Sequence, residues 1–550
     1  MRNTCRYWLP IFLLGLATVT VSAQSFRVQC PTSTITHPVA ANNNSEPQYT
    51  SATSVNGAIK CQQIAGGDGY ATMGDGTQTY MFSFGPLSGI ADIAAGKPGT
   101  QFPDVFNSVY PGGAFQPGDP ATTDGANDAG TNDPGTLGGF TFNGAVGLVP
   151  DADRQAAGLC GGTGQPSCLD GHVDPRQILD VGVMNGNIPA PLMAIDEDDE
   201  FFLTLSNVGM IMRPDLFEQH TVHFHGYPNA SAFYDGVPDA SVAINIGGSF
   251  TYYYLAPDAG TYFWHCHITP PEHLQMGMVG QLYVRPRQNR VPSGNNLRAA
   301  LVTQQSDLRT KCDSSDVLCS NPVPAVNSTT RAAAGTLCAG GLAPSTAQPK
   351  YVYNDGDGST CYDVEYPIQI HGFDPNFHFV GMTFNPEGFA DMKDKYFLLN
   401  GRSYPDTVRS GPQTAMSSDG VMHYSQPLNA IINIPVGGRA LLRISDLDVS
   451  EYQTLASLGI PMTVVGYNAK LLRDQAGNNM NYNTNSITLG GGESLDLILD
   501  ASDSTKYPQG SLFYLYTPNL DHLSNDAENF GGLMTEVCIG TLDTVHNTCQ

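Results

Sequence analysis

The sequence predicts an all-β chain built from two tandem sandwiches, and three observations carry that expectation. Charged residues make up only 14% of the 550, while Gly and Pro number 60 and 38. That mixture disfavours long surface helices and favours short strands joined by many turns. Runs rich in β-branched and aromatic residues recur between Val181 and Arg285, among them EFFLTLSNV, SFTYYYLA and GTYFWHCHI, and return from Tyr362 to Leu542. The two strand-rich halves also echo one another. Leu203-Thr-Leu-Ser206-Asn207 matches Leu442-Arg-Ile-Ser445-Asp446, and Gly260-Thr-Tyr-Phe-Trp264 matches Gly510-Ser-Leu-Phe-Tyr514. Such self-similarity reads as an internal duplication of one sandwich.

Taken in order, residues 1–23 read as a general secretory signal. Arg2 and Arg6 open it, an apolar core runs from Trp8 to Leu16, and Val21-Ser22-Ala23 supplies small residues for cleavage. Residues 24–175 form an N-terminal segment: 24–75 is polar and turn-rich, a first strand is expected near 79–84, and 93–175 reads as a long irregular insertion. The first sandwich is assigned to 176–290, a polar connector to 291–361, and the second sandwich to 362–550. A formal net charge of −26 repels nucleic acid and anionic lipid, so neither is expected as a partner. No stretch after the signal is long and apolar enough to span a bilayer.

Of the twelve cysteines, Cys5 lies in the signal and Cys266 is set apart below. Ten remain, a number suited to an oxidising compartment, periplasmic or extracellular. Nearest-neighbour pairing gives Cys30–Cys61, Cys160–Cys168, Cys312–Cys319, Cys338–Cys361 and Cys538–Cys549, although spacing alone does not fix connectivity. Asn43, Asn229 and Asn327 begin glycosylation sequons. Asp355-Gly-Asp357-Gly has the composition either of a calcium loop or of an ordinary turn.

The chemistry concentrates in two strings. Six of the thirteen histidines lie between 220 and 273, in His220-Thr-Val-His223-Phe-His225 and His265-Cys266-His267…His273…Met276-Gly-Met278. In extended chain, side chains alternate faces with a period of two. Cys266 then points away from His265 and His267, and His220 points away from His223 and His225. Two back-to-back groups follow. One holds Cys266, His220, His273 and a methionine, with Met278 preferred and Met276 the alternative. The other holds His223, His225, His265 and His267. Two imidazoles, one thiolate and a thioether suit a metal that cycles between soft and borderline states, copper above all. A closed zinc site would want more Cys or His and no Met.

The segment from Asn185 to Arg285 resembles a multicopper oxidase cupredoxin domain, through Asn185-Gly-Asn-Ile-Pro-Ala-Pro-Leu, His-x-x-His-x-His-Gly and His-Cys-His followed by His and Met. Residues 396–540 resemble a second such domain, through Phe397-Leu-Leu-Asn-Gly-Arg-Ser-Tyr-Pro and GESLDLILDAS. The resemblance implies tandem cupredoxin-like Greek-key sandwiches. It implies a type 1 copper at His220, Cys266, His273 and Met278, and type 2/type 3 coppers at His223, His225, His265 and His267. Asp235, in Tyr-Asp-Gly-Val-Pro, stands where family members carry a proton-delivering acid, and it also fits a simple turn before glycine.

The implied function is an exported oxidase that takes electrons from a reducing substrate or donor protein and reduces dioxygen to water. A trinuclear cluster in the family uses eight histidines, and only four stand in the pattern. Leu515, Tyr516 and Thr517 occupy the second half's equivalent of His265, Cys266 and His267, while His371, His378, His423 and His522 are scattered. A homotrimer that shares the cluster between subunits is one expectation. The alternatives are a copper nitrite-reductase-like enzyme and a blue-copper electron carrier.

Overall fold

The computed structural model describes residues 29–43, 58–107, 186–210, 218–227, 231–256, 258–291, 296–304, 350–381, 388–416, 422–546 and 548–550. The signal segment and most of the expected insertion lie outside these residues. The start of that insertion is described and includes the end of a short helix, Ile90–Ala94, and a second helix, Pro103–Phe106.

The first sandwich is assembled from β1 (Ile59–Thr72), β2 (Gln78–Pro86), β3 (Met193–Asp196), β4 (Glu200–Gly209), β5 (His223–Phe224), β6 (Ser249–Leu255), β7 (Gly260–His265) and β8 (Val279–Arg285). One sheet runs β2-β1-β4-β6 and the other β3-β8-β7-β5. Alternation along β4 shows why these residues form a sheet. Phe201, Leu203 and Leu205 enter the core with Phe250, Tyr252 and Tyr254 of β6. Their neighbours Thr204 and Ser206 instead pair hydroxyls across the strands with Thr251 and Ser249, at 2.8 and 2.7 Å.

The strand near 79–84 is β2, but it is not the first. The longer β1 precedes it, inside the stretch expected to be polar and turn-rich. It runs parallel to β4 and antiparallel to β2. Its Ala65-Gly-Gly-Asp-Gly run signals a turn in sequence and serves as a close approach in space. A Cβ at Gly66 would lie 2.6 Å from the His220 ring, and one at Gly69 2.3 Å from the Gly186 carbonyl oxygen.

Two short hairpins, β9 (Lys350–Tyr351) with β10 (Cys361–Tyr362) and β13 (Gln413–Met416) with β14 (Met422–Ser425), flank the second sandwich. Its first sheet contains β11 (Val364–Phe373), β12 (Tyr396–Leu399), β16 (Arg439–Asp446), β18 (Met462–Tyr467), β19 (Lys470–Leu471), β20 (Tyr482–Thr484) and β22 (Ser494–Asp500). The order is β12-β11-β16-β22-β18-β19, with β20 on β18. The second sheet contains β15 (Ile432–Ile434), β17 (Gln453–Leu458), β21 (Ser486–Leu489), β23 (Leu512–Tyr516) and β24 (Met534–Ile539), in the order β15-β24-β23-β17-β21.

The repeat seen in the sequence reappears as topology. β4 and β16 each run parallel to one neighbour and antiparallel to the other. β7 and β23 each lie between antiparallel partners, beside a strand that pairs in parallel with a short edge strand.

The sandwiches meet sheet to sheet. Gln281 Nε2 donates to Arg443 O and Ser445 Oγ, both at 2.9 Å, and Thr261 Oγ1 donates to Asp496 at 2.6 Å. Arg443, buried at this junction, pairs with Glu365 at 3.0 Å and lies over the Tyr283 ring. Buried charge of this kind holds only when paired.

Disulfides close Cys30–Cys61 and Cys538–Cys549, as nearest-neighbour pairing expects. Cys361 is also disulfide-bonded, while Cys160, Cys168, Cys312, Cys319 and Cys338 lie outside the described residues. Asn43 is buried, with its amide donating to His37 O at 2.7 Å. The Asp355 carboxylate accepts N–H donors from Gly358, Thr360 and Gln288 at 2.8 Å each, which makes the loop a turn and leaves no calcium cage. Among the described residues, no helix is long and apolar enough to cross a membrane.

Candidate metal centres

β5 and β7 pair with His223 opposite His265 and Phe224 opposite Trp264. That ladder sets both groups. Beyond His265 the strand ends, but the chain stays in register because the Cys266 N–H donates to Met278 O at 3.1 Å. His220 is pinned by reciprocal backbone bonds with Ile244, at 3.1 and 2.9 Å. His273 comes from the helix Pro270–Gln275, which opens at Thr269 with φ +36° and no side-chain cap.

In the first group, His220, Cys266 and His273 are fully buried and their ligating atoms lie within 4.8 Å of one another. Nδ1 of His273 is 3.3 Å and Nδ1 of His220 3.9 Å from Cys266 Sγ, so both imidazoles present the same nitrogen to the sulfur. The Thr221 N–H also points at Sγ, at 3.4 Å. Met276 and Met278 are buried in the same core cluster as Cys266. Burial drives the His220 imidazole down to about 3, holds His273 well below its usual value, and pushes the Cys266 thiol up to about 11. The group is therefore neutral, and a soft cation that displaces the thiol proton is the charge its donors suit.

In the second group, His223, His225 and His265 converge within 4.8 Å. The Nε2 atoms of His225 and His265 face each other at 2.9 Å. Behind them, His223 Nδ1 meets Asp235 O at 2.6 Å, His265 Nδ1 meets Cys266 O at 2.6 Å, and the His225 ring bonds the Gly492 backbone. Backbone acceptors at the rear nitrogens fix the tautomer and leave Nε2 free, the arrangement of metal-ligating histidines. His267 stands beside them, its ring 5.0 Å from that of His223 and 5.5 Å from that of His265. The Asp235 carboxylate is 3.6 Å from His223 Nδ1, farther than its own carbonyl.

The second group opens onto a cavity of about 660 Å³. His225, His265 and His267 form one wall. The second sandwich supplies the other through Asp448, Ser450, Glu451, Tyr452 and the turn Gly490–Glu493. This wall carries carboxylates and, among the described residues, no histidine. The turn is pressed close: a Cβ at Gly491 would lie 2.0 Å from Asp448 O, and one at Gly492 2.8 Å from His225 Nδ1.

The scattered histidines are engaged elsewhere. His522 stacks on Phe397 at 3.8 Å and bonds Gln453 and Glu451. His371 and His378 are buried against the ligand helix. The side chain of His423 lies outside the described residues. The sequence missed the carboxylate wall altogether. Its acids sit in turns far from any histidine string, and only the docking of the two sandwiches brings them to the cavity.

A family model described as multicopper oxidase matches residues 170–289, the span that carries every residue of both groups. Residues 170–289 thus match a multicopper oxidase domain. The chain is 34% identical over 112 residues to "Multicopper oxidase MCE" of Talaromyces pinophilus, covering 20% of this chain and 17% of that protein. It is 33% identical over 109 residues to "Laccase abr2" of Aspergillus fumigatus, again 20% and 17%. It is also 32% identical over 117 residues to a copper-containing nitrite reductase of Rhizobium meliloti, 20% of this chain and 28% of that protein. The match thus spans about a sixth to a quarter of these curated relatives. The blue copper oxidase of Nitrosomonas europaea superimposes with a TM-score of 0.40 at 20% identity, covering 64% of this chain and 78% of that one. For a multicopper oxidase domain the donor set fits the metal: one thiolate and two imidazoles in one group, imidazoles with backbone-fixed tautomers in the other.

Proposed function

We propose that this chain is an exported copper oxidoreductase that oxidises a reducing substrate and reduces dioxygen to water. His220, Cys266, His273 and Met278 would hold the type 1 copper, and His223, His225, His265 and His267 would serve a type 2/type 3 cluster. Bound copper would supply the one-electron chemistry that protein side chains lack. The protein's part is placement. Full burial of Cys266 and its two imidazoles excludes water from the first group. Cys266 joins the groups covalently, since its Sγ faces one while its neighbours His265 and His267 belong to the other. The Cys266 carbonyl also accepts from His265 Nδ1 at 2.6 Å, a second and hydrogen-bonded link. This double connection is the observation that carries the reading. Asp235, beside His223, would hold a proton near the oxygen-reducing group.

Four histidines fall short of a full trinuclear set, and the facing wall adds none. We infer that a partner subunit completes the cluster in a homo-oligomer, a trimer in the arrangement the sequence suggests. The short histidine count and the nitrite reductase relative favour a second reading, in which one copper at the cavity reduces nitrite. Copper-loaded protein tests both. The first requires an absorption at about 600 nm that disappears in Cys266→Ser, together with oxygen consumption during substrate turnover. Nitrite loss without oxygen consumption selects the second. A colourless copper-replete protein ends both.

A further inference from the structure

The ligand helix Pro270–Gln275 is too short to hold its own shape. Six residues barely exceed one turn, below the length at which helix propagation repays nucleation. Its entry is not capped by a side chain, and Thr269 sits in the left-handed region at φ +36°. Yet it carries His273, and Met278 follows three residues after its end. The chain itself ties part of the exit, with Gly277 N–H on Leu274 O at 3.0 Å and Met278 N–H on His273 O at 2.9 Å, and leaves the rest to be held from outside.

The second sandwich supplies that grip. His371, on β11, places Nε2 3.0 Å from Leu274 O. His378, on the helix Pro375–Gly381, places Nε2 2.9 Å from Gln275 O and Nδ1 3.0 Å from Tyr80 O of β2. Its ring stacks on Phe373 at 3.8 Å. The Gln275 side chain reaches back, donating to Asp394 at 2.9 Å. All of these groups are buried.

We propose that His371 and His378 are positioning residues for the first metal group: the ligandless sandwich clamps the exit of the ligand helix and thereby sets where His273 and Met278 stand relative to Cys266. This rests on the copper reading above. It assigns the second sandwich a role in tuning that centre, and it explains two buried histidines that stand outside both metal groups.

The test uses the full chain loaded with copper. His371→Leu and His378→Leu remove the donors, while His371→Gln and His378→Gln keep an N–H. Each leucine variant is expected to shift the absorption at about 600 nm and to weaken Cu(II) binding about tenfold, and each glutamine variant to restore most of both. Val537→Ala, in the core of the same sandwich and outside this hydrogen-bond network, should lower the urea midpoint and leave the absorption in place. Leucine variants that lose stability with unmoved absorption and affinity overturn the clamp. If neither leucine variant folds, Asp394→Ala, which loosens the same grip, must move the absorption in their place, and an unmoved band overturns the proposal. A wild-type chain that stays colourless with copper overturns the copper reading instead, so the two failures are told apart.

Discussion

The two sandwiches share a strand plan but differ at one point of the ladder. Where β5 and β7 set His223 opposite His265, β17 and β23 set Ser457 opposite Leu515. The chain then continues into His265-Cys266-His267 in one and Leu515-Tyr516-Thr517 in the other. Thr517 and Leu515 are fully buried, so at this point the second copy holds ordinary packing. A scaffold of this kind carries metal chemistry through a handful of side chains and survives without them.

The sharpest way to break the comparison is to alter matched positions. Cys266→Ser should abolish the absorption at about 600 nm and lower oxygen consumption by more than about a hundredfold, whereas Tyr516→Phe should leave both unchanged. Oxygen consumption by the serine variant at the unaltered chain's rate would show that the first group is not on the electron path. His265→Ala separates the two groups: the absorption persists while steady-state oxygen consumption falls by more than about tenfold.

Stability sharpens the same contrast. Leu203→Ala and Leu442→Ala remove equivalent core side chains, and each should cost about 2–5 kcal/mol in urea unfolding. Copper at a hundred times its Kd adds back about 2.7 kcal/mol, and hydrogen exchange should show that protection in the first sandwich only. Equal protection of both would mean that they unfold as one unit.

In copper-free protein, the depressed His220 sets a pH dependence. Its imidazole falls from 6.5 to about 3 on burial, so the unfolded chain binds the extra proton between those values. Stability contributed by the buried neutral ring is intact above pH 6.5 and lost as pH falls toward 3, read as a falling Tm. Loaded copper should steepen that slope, because the ligated thiolate and imidazoles stay proton-free in the folded state while the unfolded chain takes protons up. The smallest effect expected is from Asp235→Asn, a few-fold loss of oxygen consumption that grows as pH rises and free protons become scarce.

Much of this was legible in the chain. Alternation through His265-Cys266-His267 sorts the ligands into the groups the structure brings together, because neighbouring side chains diverge even where the ladder stops. The repeat was legible because Leu203–Asn207 and Leu442–Asp446 occupy the same central strand and keep the same apolar face. What was hidden shares a physical cause. β1 was masked by glycines, which mark turns but also admit close neighbours, here the His220 ring. The cavity wall and the histidine clamp depend on docking between segments more than a hundred residues apart, such as Gly492 on His225 and His378 on Tyr80. No local pattern encodes that juxtaposition.

The Gly490–Gly492 turn bears none of the reactive groups, yet its bareness is a fit tolerance. With His225 Nδ1 standing 2.8 Å from the missing Cβ of Gly492, even alanine there would press the halves apart. A methyl group would act on the imidazoles opposite as a shim.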